Sequence, residues 1–272
     1  MHILLPSELS PEYQKVALAY LTDAHRFNQL QWRQALIAFD LLKHAVIVTG
    51  SEIRPFPAIY YQYVEDPYAD QFIDSLYQAE SIEAASIQTW SRLAGQIVSD
   101  LTHNGLYNSV IPGTHFLLAY CLYWWRAFTL GYALEIEIQR DLTQAGIKFE
   151  THNLRDRRQR LSRHDIVVSG FEGDIKNSTY FLQATRTQTL WHDFYITKVS
   201  GKQRSRILVV FVQADMWQLI DGDTLFVLLE KLADVMPQAA KIRHEGLNLT
   251  VINYNLWKEK MRRYQQKEHK NE

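Results

Sequence analysis

Asp165, Asp174 and Lys176 are the residues of this chain whose types and spacing best suit chemistry. Asp174 and Lys176 lie two apart in a segment that reads as extended, which puts both side chains on one face of a strand. Asp165 opens the apolar run Ile166–Val168, and Ser169-Gly170-Phe171-Glu172-Gly173 reads as the turn of a tight hairpin. Folding that hairpin carries Asp165 across to Asp174. Two carboxylates with an ammonium beside them are the parts of a divalent-metal site, because carboxylates are hard oxygen ligands and the lysine can orient water or offset anionic charge.

The elements that must position these residues can be read outward from the hairpin. Upstream, Ile111-Pro112-Gly113-Thr114 starts a helix that runs to Gln144 and stops before Gly146. Phe128, Gly131, Glu135, Ile138 and Leu142 follow the rhythm of one helical face, so Glu135 sits in an apolar stripe, whereas Glu137 lies nearer Asp141 and Gln144 on a polar side. A carboxylate on a buried face needs a partner; Glu135 meets a cation in a core ion pair or points at a site. Ile147–Glu150 is a strand candidate. Between it and the hairpin lie Arg155, Arg157, Arg158, Arg160 and Arg163 against the single Asp156, the densest basic patch in the chain. Arginine suits phosphate because its planar fork bonds two oxygens at once. His164 adjoins this patch.

Downstream, Arg206–Val212 is a buried strand and Leu249–Asn253 a last one. Residues 179–187 read as a strand, 190–198 as aromatic and mixed, and 216–220 as a further short strand. Thr224–Val235 reads as an amphipathic helix capped by Asp223 or Thr224 and ended by Pro237. The charged tail from Lys258 is expected to fray.

The first 112 residues read as helical, with helices over 13–24, 29–47, 68–78 and 83–102 and a surface loop over 50–68, where Pro55, Pro57 and Pro67 fall among tyrosines. Nothing there has catalytic spacing, so packing, a homodimer contact or a partner-protein contact is the expected use. The division is 1–112 for this helical region, 113–256 for an α/β domain and 257–272 for a charged tail. Lys plus Arg (29) nearly balances Asp plus Glu (30), so only local patches bear on a nucleic-acid partner. The single Cys121 excludes an internal disulfide and a cysteine zinc cage. With no signal-peptide pattern at the N-terminus, a cytoplasmic setting is expected. Residues 116–136 have the length of a membrane span but hold Arg126 and Glu135, each costing ~2.5–3.5 kcal/mol at mid-bilayer. A buried central helix and no membrane partner are expected. No Gly-rich phosphate loop, nucleophile elbow or H-E-x-x-H is present. Cys121 is read as core, and His192-Asp193 as a weak pair with no nucleophile beside it.

The order of parts is then a helix bearing Glu135, Leu142 and Gly146 leading into a strand, His164-Asp165, a short hairpin, and Asp174-Ile175-Lys176. This order resembles the PD-(D/E)xK nuclease superfamily, with His164-Asp165 standing where Pro-Asp is usual. The resemblance covers roughly residues 131–212. It implies an α/β architecture: an N-terminal α-helical region followed by a restriction-endonuclease-like mixed β-sheet core flanked by helices. It implies a Mg²⁺- or Mn²⁺-dependent endonuclease, a hydrolase of phosphodiester bonds, with DNA ahead of RNA as substrate. Asp165, Asp174 and Glu135 are then the metal ligands, joined by the Ile175 carbonyl. Lys176 orients or helps deprotonate the attacking water, and Arg155, Arg157, Arg158, Arg160, Arg163 and His164 grip the nucleic acid. The N-terminal region then serves substrate choice, dimerisation or partner contact. In a second register residues 179–187 pair with Asp165 instead, and the motif positions become Gln183, Thr185 and Arg186, without the second carboxylate and the lysine. That register suggests a catalytically inactive nucleic-acid-binding or assembly protein on the same fold. A third possibility is that Asp165, Asp174 and Lys176 only neutralise one another.

Overall fold

A computed structural model of the chain describes residues 1–160, 162–177, 192–200, 205–212, 239–244 and 247–271. The protein is mixed α/β, with a helical N-terminal region and a mixed sheet. It divides into two compact units, 1–130 and 131–272, and the division falls inside one long helix rather than at that helix's start.

The first unit begins with β1 (His2–Leu4), α1 (Pro11–Asp23) and α2 (Gln29–Leu41). The helix expected over 29–47 ends at Leu41, and β2 (Val46–Thr49) pairs with β3 (Glu52–Pro55) and with β1. The β-branched run Val46-Ile47-Val48-Thr49 suits a pleated strand, and Gly50, at φ +61°, turns it back. The surface loop expected over 50–68 is also overturned. Here α3 (Phe56–Tyr60) continues through one wider turn into α4 (Asp66–Gln78), with Phe56, Ile59 and Tyr60 buried. Pro57 sits in the first turn of α3, where a missing N–H costs nothing, and Pro67 directly follows the wider turn that leads into α4. After α5 (Ile82–His103), α6 (Thr114–Gln144) begins. Its first half lines the core of this unit, where Tyr123 stacks on Phe39 at 4.1 Å and Trp125 lies edge-on to Phe72. Arg126 rests over the Trp32 ring. Buried Cys121 has its thiol pushed up by burial, as a core residue should. Among the described residues no helix is long and apolar enough to cross a membrane.

The second unit holds a seven-stranded sheet in the order β4-β5-β6-β7-β8-β10-β9. Its strands are β4 (Glu150–Thr151), β5 (Ile166–Val168), β6 (Phe171–Lys176), β7 (Phe194–Ser200), β8 (Ser205–Val212), β9 (Ala239–His244) and β10 (Leu247–Asn253). All neighbours are antiparallel except β6 and β7, which run parallel. The second half of α6 packs Leu134, Ile138 and Leu142 into one core with Ile166, Ile175, Phe194, Ile196 and Val209 of the sheet. It ends as expected at Gln144, where Gly146 adopts φ +69° and the Ile147 N–H donates to the Leu142 carbonyl. The strand candidate at 147–150 is reduced to Glu150–Thr151, since Ile147 belongs to the core cluster. The strands expected over 206–212 and 249–253 are present as β8 and β10. The elements expected over 179–187, 216–220 and 224–235 lie outside the described residues.

The tail is a correction. Instead of fraying, the chain forms α8 (Tyr254–Asn271), because its apolar residues and two polar clamps tie it down. Tyr254 and Trp257 enter the core, and Lys258 Nζ bonds both Asp141 oxygens at 2.8 and 2.6 Å. Gln265 then pairs with the Lys148 backbone like a strand residue, accepting its N–H and donating to its carbonyl at 2.8 Å each.

Candidate active site

The hairpin is tighter than its sequence suggested. Only Ser169 and Gly170 form the turn, at φ +51° and +82°, so Phe171 and Glu172 already belong to β6. Positive φ at both central residues matches the twist of a two-residue hairpin. The ladder pairs Val168 with Phe171 and Ile166 with Gly173, and the Asp165 N–H continues it onto the Gly173 carbonyl. The strand beside Asp165 is therefore β6, the one bearing Asp174 and Lys176. Gln183, Thr185 and Arg186, the motif positions of the other register, lie outside the described residues. Gly173 is required by packing: a Cβ there would stand 2.2 Å from the Phe194 ring on β7.

Strand alternation sends Ile175 into the core and turns Asp174 and Lys176 to the other side of β6. Lys176 Nζ lies 2.7 Å from Asp174 Oδ2. One Asp165 oxygen accepts the Ile175 N–H at 2.8 Å, so the side chain holds the β6 backbone while its carboxyl bonds that of Asp174. Two carboxyl groups can share such a bond only with a proton between them. Burial pushes the Asp165 carboxyl well up, and its hydrogen bond and repulsion with Asp174 push it further. Burial acts the same way on Asp174, but the proton donated by Asp165 and the Lys176 ammonium outweigh it and hold this group low. Lys176 stays charged, since its carboxylate neighbours overcome the desolvation that disfavours an ammonium.

Glu135 reaches the same cluster from α6. It is 6% exposed, and burial followed by repulsion from Asp174 raises its carboxyl, with Lys176 opposing. Of the two options open in the sequence, it points at this group of charges rather than at a separate ion pair. Glu137 is exposed, as the helical phase required. Gln139, one turn on, donates from Nε2 to Glu135 Oε1 (3.2 Å) and to Thr151 Oγ1 (2.7 Å), and Thr151 donates to the Asp165 carbonyl (3.1 Å). This chain of bonds ties the helix to the start of β5. Gln139 went unnoticed in the sequence although its i+4 spacing from Glu135 was a usable signal.

The basic patch forms the loop between β4 and β5, where α7 (Arg157–Arg160) is a single turn. Asp156 caps it, taking the Arg158 N–H on its side chain at 2.9 Å, and buried Leu154 anchors it. Arg155, Arg157, Arg158 and Arg163 are exposed; Arg160 is half-buried and donates to the Leu154 carbonyl. His164 is partly engaged inside the protein, 3.9 Å from Glu172 and beside the His152 ring.

His192 is the residue that sequence reasoning undervalued. Its expected neighbour Asp193 points elsewhere, accepting the Glu172 N–H and so fixing the start of β7 against β6. The His192 imidazole is buried, 2.6 Å from the Arg163 carbonyl, 3.1 Å from the Tyr195 hydroxyl and 3.7 Å from Asp174 Oδ2.

Burial and mutual repulsion raise the Glu135 and Asp165 carboxyls, while the Lys176 ammonium helps to hold Asp174 low. The carboxylate oxygens of these three residues are hard donors of the type that Mg²⁺ or Mn²⁺ takes. Among the described residues no three His, Cys, Asp or Glu side chains are already spaced as ligands of one ion. No family model, no curated protein and no solved structure matches this chain.

Proposed function

We propose that the second unit is a metal-dependent phosphodiesterase of the PD-(D/E)xK, restriction-endonuclease-like kind, cleaving nucleic acid, with DNA the first substrate to test. The convergence of Glu135, Asp165, Asp174 and Lys176 carries this reading. Asp165, Asp174 and Glu135 are the residues to hold Mg²⁺ or Mn²⁺, which when bound supplies Lewis-acid stabilisation of phosphate charge and an acidified water. Lys176, kept as an ammonium by its carboxylate neighbours, offsets phosphate charge and orients water; it holds a proton rather than taking one. Gln139 and Thr151 steady Glu135 against the β5 end of the site. The Arg155–Arg163 loop, entering β5 two residues before Asp165, supplies the phosphate grip.

The test is cleavage of plasmid, single-stranded DNA and RNA by the purified full chain with Mg²⁺ or Mn²⁺. Asp174→Ala and Lys176→Ala should each remove the activity. Cutting that survives both changes refutes the site. Salt-sensitive DNA binding without any cutting or metal binding supports the inactive, binding-only reading on the same fold.

A further inference from the structure

We infer that the outer face of α8 is a second contact surface for the phosphate backbone of nucleic acid, formed by Lys260, Arg263 and Lys267 with Tyr264 beside them. The inference rests on the nucleic-acid partner of the reading above, and not on the metal or on cleavage. The helix spends its apolar residues inward, with Tyr254 and Trp257 in the core and Met261 packed against it. On that same inner side Asp141 holds Lys258, and the Lys148 backbone holds Gln265. With about 3.6 residues per turn, Lys260, Arg263 and Lys267 fall together on the opposite side. All three are exposed.

A solvated helix face is ordinarily laced with opposite charges three or four residues apart. This face is not built that way. No Asp or Glu lies three or four residues from Lys260 or Lys267, and among the described residues neither ammonium has an ion pair or a hydrogen bond. Arg263 pairs with Glu259, the single acid in residues 258–267 against five cations. The helix dipole does not account for Lys260, which sits mid-helix, because that effect fades beyond the last turn. Ammonium groups left in a row attract a polyanion, and Tyr264, 48% exposed beside them, offers a ring on which a base can stack. The stripe also adjoins the site. Gln265 donates to Ser169 Oγ at 3.2 Å, and Ser169 belongs to the turn of the hairpin that carries Asp165 and Asp174. Ser169 follows Asp165 by four residues, about 13 Å along β5, a length that about four nucleotides cover at ~3.4 Å each. A lipid surface is the other polyanion that basic helices meet, but α8 has already buried the apolar residues that would enter a bilayer.

The experiment is binding of a fluorescein-labelled duplex oligonucleotide by the full chain in metal-free buffer over a range of salt. The wild type is compared with the double variant Lys260→Gln and Lys267→Gln, and thermal melting checks the fold. Both positions are exposed and glutamine is as good a helix former as lysine, so the variant should fold. Loss of two phosphate contacts, at about 0.9 each, should lower the logarithmic salt slope by roughly 1.8 and weaken binding roughly 10–60-fold at ~0.1 M salt. An unchanged slope and affinity in the folded variant overturns the inference and leaves the nuclease reading intact. A lowered slope in a protein that cuts nothing supports the inference and refutes the nuclease reading. A wild type that binds phosphatidylserine vesicles but not the duplex overturns the inference in favour of a lipid surface. A wild type that binds neither overturns both the inference and the nucleic-acid reading beneath it.

Discussion

Asp165→Asn offers a demanding test, because its expected effect on stability is opposite to that of most substitutions in a buried cluster. In the structure the Asp165 carboxyl accepts the Ile175 N–H through one oxygen and lies beside the Asp174 carboxyl, a pairing that raises Asp165 and that two carboxyls sustain by holding one proton between them. An asparagine reproduces both bonds, with its carbonyl oxygen accepting from Ile175 and its amide donating to Asp174. The wild-type group must keep a proton that it would release in the unfolded chain near pH ~3.9. At pH 7 that costs about 1.4 kcal/mol per unit, an upper bound of about 4 kcal/mol. Asp165 is only partly buried, so water screens the effect and about 1–3 kcal/mol is the expected gain. A carboxyl whose folded value is raised weakens the fold as pH climbs above its unfolded value. The variant should therefore match the wild type near pH 4 and exceed it increasingly through neutral pH. Calorimetric melts between pH 4 and 8 without metal would show this as a rise of several degrees, at roughly 2–4 °C per kcal/mol for a chain of this size. Saturating Mg²⁺ should close or reverse the gap, since ligand at 100 times its Kd adds about 2.7 kcal/mol to the wild type and nothing to the variant. Loss of more than about 1 kcal/mol at pH 7.5 in metal-free Asp165→Asn, or equal stabilisation of both proteins by Mg²⁺, would refute the shared proton and the metal role respectively.

Other outcomes follow from the same geometry. Divalent metal binding near pH 7 should release about two protons per ion, from Asp165 and Glu135, and fewer as pH rises; calorimetry in buffers of different ionisation enthalpy reads this directly. Release near zero would contradict the protonated cluster. Gly173→Ala places a methyl 2.2 Å from the buried Phe194 ring and should cost about 1–3 kcal/mol or more in urea unfolding; a cost below ~0.5 kcal/mol would mean that β6 and β7 are not so closely packed. Replacing exposed Arg157 and Arg158 together by Ala should weaken DNA binding uniformly across sequences and reduce its logarithmic salt slope by roughly 1–2; an unchanged slope would remove the loop from the interface.

Much of the second unit was legible because its signals are local. The rhythm of Glu135, Ile138 and Leu142 fixed one helical face, and Gly146 ended the helix where a left-handed residue was needed. The hairpin followed from an apolar run, a Gly-containing turn that proved shorter than the five residues expected, and the two-residue period that sets Asp174 and Lys176 together. Local signals also misled. Prolines at 57 and 67 mark helix starts as readily as loops, and only the burial of Phe56, Ile59 and Tyr60 decides between them. The charged composition of the last residues suggested fraying because Trp257 against Phe194 and Gln265 on the Lys148 backbone are contacts with segments distant in the chain.

By itself the sequence determined which residues could do chemistry, and it left two registers open for the strand that pairs beside Asp165; the β5–β6 ladder decided between them. The raised Asp165 carboxyl beside a lowered Asp174, the arrival of Glu135 and the presence of His192 were decided only by tertiary structure. Each depends on burial and on pairing between distant segments, the parallel β6–β7 ladder above all. A carboxylate's charge state is a property of its surroundings, and residue spacing along a chain does not specify them.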